Sequence, residues 1–93
     1  MTSEPGGAAY RNITEPRRIE IVYRDSKGKV TTREIIPAEI HWTPGLPRVQ
    51  IIAQCLLRGG KTRSFMNDQI LSAIDLDTDA TIEDLGKHLR ERY

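Results

Sequence analysis

The chain holds one cysteine, one phenylalanine, one tryptophan and two histidines, so several chemistries have little to work with. A single cysteine, Cys55, excludes an intramolecular disulfide, and inside the apolar run VQIIAQCLL a lone thiol reads as a small core hydrophobe. That usage fits a reducing compartment. His41 and His88 stand far apart with no cysteines at ligand spacing, which argues against a zinc site. No phosphate-binding P-loop, H-E-x-x-H or nucleophile motif is present, so the expectation is no enzyme and no cofactor. In DLDTDA the alternating Asp75, Asp77 and Asp79 lack the later glycine and glutamate of a calcium loop and read as a polar linker capping a helix. No apolar stretch approaches the roughly 20 residues of a membrane span, and the start MTSEPGGAAYRN has neither a basic nor an apolar segment of a signal peptide. The expected location is cytoplasmic, without a membrane partner.

An excess of one charge sign is also missing, since 14 Lys and Arg face 13 Asp and Glu for a net charge of +1. The charges are unevenly placed. Residues 1–66 hold eleven basic and six acidic side chains, whereas 67–93 hold three and seven, giving sums of +5 and −4. Such a chain either offers a basic surface to an anionic partner or neutralises itself within one fold.

What is present is enough for one core. With 93 residues, 38% apolar and 29% charged, the chain suits a single globular domain. Residues 1–15, rich in Gly, Pro, Ser and Ala with little to bury, read as a mobile leader, and 16–93 as the domain. In RIEIVYRD the apolar Ile19, Ile21 and Tyr23 alternate with charged residues at the period of a strand, and DSKGK supplies a turn around Gly28. VTTREIIPAEIHW is long and β-branched, with Pro37 marking a bend, bulge or edge. VQIIAQCLL, apolar on both faces, reads as a central strand, and RGGK as a hairpin turn into TRSFM. NDQILSAIDLD reads as one more strand after a short helical turn. The segment 80–93 reads as a helix with Thr81 as N-cap and Ile82, Leu85, Leu89 and Tyr93 as its apolar stripe, weakened at Gly86 by about 1 kcal/mol relative to alanine. About five short strands and one helix predict a mainly β fold, a small bent antiparallel barrel of Sm-like or SH3-like type with a C-terminal α-helix.

The run from Ile19 to about residue 75 resembles the WYL domain: an I-x-Y strand at Ile21 and Tyr23, a glycine turn at Gly28, Arg33 four residues before Pro37, Ala53 and Cys55 in the central strand, then Arg63-x-Phe65. Two positions depart from the pattern. The name-giving triad is Val49, Gln50 and Ile51, and Gln69 replaces a basic residue, which implies an altered ligand surface. The resemblance implies a ligand-sensing module with an Sm-like barrel that binds nucleic acid or nucleotides. WYL domains usually follow a helix-turn-helix, for which these 93 residues leave no room, so the expectation is a free-standing divergent member.

The candidate ligand residues follow from chemistry and from that resemblance. Arg63 offers a planar fork of donors suited to phosphate, and Phe65 follows on the same strand face as a ring for a base. The other reading pairs Arg63 with an acid and puts Phe65 in the core. Arg58 and Lys61 flank a Gly-Gly turn whose amides could form an anion nest, though hairpin geometry alone accounts for the glycines. Arg33 matches the family arginine, and Tyr23 offers a ring to a ligand or to the core. The function these residues suggest is non-catalytic recognition of an anionic ligand, single-stranded nucleic acid or a nucleotide, in transcriptional or defence-related regulation. The alternative is a protein-interaction or oligomerisation subunit, with a protein partner or as a homo-oligomer, using the barrel edge or the C-terminal helix.

Overall fold

The computed structural model describes residues 9–15, 17–56 and 59–92. Seven antiparallel strands form one sheet: β1 (Ala9–Asn12), β2 (Ile19–Arg24), β3 (Val30–Trp42), β4 (Val49–Cys55), β5 (Lys61–Met66), β6 (Ile70–Asp75) and β7 (Ala80–Ile82). A 3-10 turn (Asn67–Gln69) joins β5 to β6, and one helix, α1 (Leu85–Arg92), closes the chain. The order across the sheet is β5-β4-β3-β2-β6-β7, with β1 also on β3. The mainly β class and the antiparallel sheet are as expected, while the strand number rises from about five to seven.

The length of β3 explains one added strand. Its first half, Val30 to Ile35, pairs with β2, and Glu39 to Trp42 pair with β1. The two partners run along the same side of β3 in succession, so both halves of a 13-residue strand are hydrogen-bonded there. Expectation and structure therefore part over residues 9–15, because Ala9–Asn12 is a strand and Ile13 belongs to the core. Pro37 sits where expected, beside a bulge between Pro37 and Glu39, and the freed carbonyl of Ala38 accepts the N–H of Ile13.

The inner face of the sheet carries the core: Ile19 and Ile21 of β2, Ile35 and Ile40 of β3, Val49, Ile51, Ala53 and Cys55 of β4, Phe65 of β5 and Ala73 of β6. The sheet curls strongly. On a flat sheet β2 and β5, three spacings apart, would be about 14 Å from each other, yet the rings of Tyr23 and Phe65 meet edge to face with centroids 5.0 Å apart. Among the described residues no ladder joins β5 to β6 or β7, so these hydrogen bonds leave the curled sheet open.

The helix is shorter than the sequence suggests. Residues 80–82 are claimed by β7, because Ile82 pairs with Ala73 and enters the core. Asp84, not Thr81, is the cap: its carboxylate accepts the N–H of Lys87 at 3.1 Å, and its carbonyl that of His88. Leu85 and Leu89, each 2% exposed, seal one end of the core. Tyr93, the last residue of the expected stripe, lies outside the described residues. The segment DLDTDA forms the β6–β7 turn, with Asp75 accepting the N–H of Asp77 and Asp79 at a positive φ of 59°.

Candidate functional site

Register places two hairpin turns at the same end of the sheet. The β2–β3 turn follows Arg24 paired with Val30, and the β4–β5 turn follows Cys55, which pairs with both Ile35 and Lys61. In the first turn Asp25 accepts the amides of Lys27 and Lys29 at 2.9 Å. The hydrogen bond from Lys29, reinforced by that from Lys27, holds its carboxyl below the ordinary value. In the second turn Gly59 and Gly60 have φ of 68° and 83°, the left-handed region that favours glycine, and Gly60 donates to the carbonyl of Cys55. Hairpin geometry thus accounts for both glycines.

Between these turns, at the mouth of the curled inner face, lies Arg33. It is 7% exposed, in the same alternation that buries Ile35. Its Nε donates to the Thr31 hydroxyl at 3.0 Å and its Nη1 to the Cys55 sulfur at 3.8 Å, while the guanidinium carbon stands 6.0 Å from the Phe65 ring centre. Among the described residues no carboxylate reaches it. No fully buried side-chain nitrogen lacks a partner there, so the unbonded Nη2 touches solvent. Withdrawing a guanidinium from water without a counter-charge is costly, and a hydroxyl, a thiol and an aromatic ring recover only part of that cost. An anion arriving at Nη2 would supply the missing partner.

The flanking strand adds charge. Lys61 sits directly across from Cys55, and Arg63 across from Ala53, both on the inner-face row that ends at Phe65. Both are exposed, and among the described residues neither forms an ion pair or side-chain hydrogen bond. Of the residues singled out from the sequence, Arg33, Lys61, Arg63, Phe65 and Tyr23 therefore share the inner face; Phe65, across from Ile51 and level with Ile40 of β3, is brought to Tyr23 and Arg33 by the curl. Arg58 lies outside the described residues.

Two of those residues hold positions that differ from a clamp. Phe65 is 1% exposed, with its ring against Tyr23 and Arg33, so it has no free face for a base and acts as the core ring that supports the arginine. Tyr23 is half-buried and donates its hydroxyl to Oε1 of Gln69 at 3.0 Å. Gln69 thus has a local role at the position where the resembled pattern carries a basic residue. Thr31 and Cys55 were not singled out as ligand residues from the sequence. The alternation that puts Thr31 on the side of Arg33 is the signal that finds one of them, and the β3–β4 register the other.

Among the described residues no group of three or more His, Cys, Asp or Glu is placed to hold a metal ion, and no helix is long and apolar enough to cross a membrane. No family model, curated protein or solved structure matches the chain.

Proposed function

We propose that this chain is a non-catalytic regulatory module that binds a phosphate-bearing anion, single-stranded nucleic acid or a nucleotide, at the mouth formed by Arg33, Lys61 and Arg63. The observation that carries this reading is Arg33: a nearly buried guanidinium with no carboxylate among the described residues and one nitrogen open to solvent. A charge held this way at a cost in stability suits a site completed by its ligand. The WYL-like pattern supports the same reading, since Tyr23, Arg33 and Arg63 all fall on the inner face of the sheet. The curl that brings Tyr23 to Phe65 is in keeping with an Sm-like barrel. Such a regulator would act in the cytoplasm, where the buried free thiol of Cys55 stays reduced.

The alternative of a partner recruited by the helix has less to stand on, because the apolar residues of α1 are spent on the core. The test is fluorescence anisotropy with labelled single-stranded DNA and RNA, on wild type and Arg63→Ala, across about 50 to 200 mM salt. The expected result is binding that weakens steeply with salt and falls roughly fivefold in the mutant, with unchanged melting because Arg63 is exposed. No binding by the folded wild type at the lowest salt overturns the proposal.

A further inference from the structure

Burial of Phe65 leaves a nucleic acid without the ring expected to stack on its bases, and the structure presents rings elsewhere. Tyr10 is the one exposed aromatic residue among those described, at 64%. Its ring stacks on His41 with centroids 5.5 Å apart and planes 21° apart. His41 is held in turn by Oε1 of Glu39, 3.0 Å from its Nε2. The ring of Tyr10 is therefore pre-oriented by its neighbour, and its outer face is open. Register continues the row across the outer face, from Tyr10 to His41, Gln50 and Met66 on β1, β3, β4 and β5.

On the other side of His41 lies a hollow of about 260 Å³ lined by His41, Trp42, Leu46, Arg48, Gln50 and Met66. Leu46 lies in the turn after β3 and is 56% exposed, an apolar wall left open to water. Trp42, next to His41 on β3, alternates to the core-facing side, and around its ring stand two cations. The guanidinium carbons of Arg11 and Arg90 lie 5.4 and 5.5 Å from the centre of its ring, and among the described residues neither arginine meets a carboxylate. An exposed flat ring and, around the neighbouring Trp42, guanidiniums without a carboxylate suit a single strand, since every base has a face to stack and every linkage carries a negative charge.

We infer that Tyr10, His41 and the adjoining hollow form a base-stacking platform for single-stranded nucleic acid, with Arg11 and Arg90 around the neighbouring Trp42 supplying charge to the backbone, while Arg48 in the hollow is paired with Asp68 at 3.2 Å. The inference rests on the proposed function and adds to it the place where bases are held, at the opposite end of β3 from Arg33. Stacking of this kind tolerates any base, so the platform recognises single-strandedness and not sequence.

The test separates bases from phosphates. Binding of oligo(dT) to the full chain is compared with that of an abasic oligonucleotide of equal length, for wild type, Tyr10→Ala and Tyr10→Phe. Wild type is expected to prefer oligo(dT) by roughly tenfold. Tyr10→Ala should lose most of that preference while keeping its affinity for the abasic strand, and Tyr10→Phe should retain it. Trp42, the single tryptophan, reports independently: its emission should be quenched by oligo(dT) and not by the abasic strand. That readout decides the matter if Tyr10→Ala melts early. Equal binding of the two strands by wild type, or an unchanged preference in a folded Tyr10→Ala, overturns the platform alone. Absence of binding to either strand overturns both the platform and the proposed function.

Discussion

Arg33 spends stability on a charge that the rest of the core does not need. Its aliphatic stem lies in the row with Ile35, and among the described residues its head bonds only a hydroxyl and a thiol. Replacing Arg33 by methionine keeps much of the stem's volume and removes the uncompensated charge. A buried ion replaced by a packed apolar group is often neutral or stabilising, by about 1 kcal/mol or more. Arg33→Met is therefore expected to melt at or above the wild-type temperature while losing affinity for single-stranded nucleic acid. A melting temperature lower by many degrees would show that the guanidinium is structural and not reserved for a ligand. At this scale the sequence was half legible. Alternation put Arg33, Phe65 and Arg63 on strand faces, but which face is closed depends on how far the sheet curls. Phe65 lies two residues from Arg63 on the same row, and the curl buries one and exposes the other.

Element by element, the strands that a reader of the sequence can find are those with their own pattern. β2 to β6 have alternation, glycine turns or β-branched runs. β1 and β7, of four and three residues, are strands because a neighbour offers an open edge: β1 covers the half of β3 beyond β2, and β7 continues from β6. Such elements follow from tertiary pairing and leave little trace in local composition. Gly86 shows the same limit. In the sequence it is a defect in a helix, worth about 1 kcal/mol against alanine. In the fold it is a contact, because a Cβ at that position would lie 2.7 Å from Cβ of Asn67 and 2.9 Å from Cβ of Val49. Asn67 cannot easily withdraw, since its amide accepts the Val49 N–H at 2.9 Å and donates to the Pro47 carbonyl at 3.1 Å. Gly86→Ala is expected to destabilise the protein by about 1 to 2 kcal/mol, the overpacking cost exceeding the gain in helix propensity. Urea denaturation measures this, and a stabilised Gly86→Ala would show that the helix seat has room to yield.

Across the whole molecule the near-zero net charge conceals two different arrangements. Among the acids of residues 67–93, Asp75 pairs with Arg17 at 3.5 Å and Asp68 with Arg48 at 3.2 Å, and Asp75, Glu83, Asp84 and Glu91 line a hollow of about 590 Å³ between β7 and α1 together with Arg17, Lys87 and Arg92. At the other pole Arg33, Lys61 and Arg63 have no acid among the described residues. Net charge therefore says little about affinity for a polyanion, and the distribution says more. Each phosphate contact made by a cation contributes about 0.9 to the slope of log affinity against log salt on a duplex and about 0.7 on a single strand. Replacing Lys61 and Arg63 together by alanine is expected to lower that slope by about 1.4 on single-stranded DNA. Tyr10→Ala, which removes a ring and no charge, should lower affinity with the slope unchanged. Titrations at four or more salt concentrations with the three proteins distinguish these effects. Equal slopes for wild type and the Lys61, Arg63 double mutant would mean that the mouth makes no phosphate contacts through these two cations. A slope that falls in Tyr10→Ala would mean that its ring acts by positioning the strand against the arginines around Trp42, and the two ends would then have to be treated as one electrostatic surface.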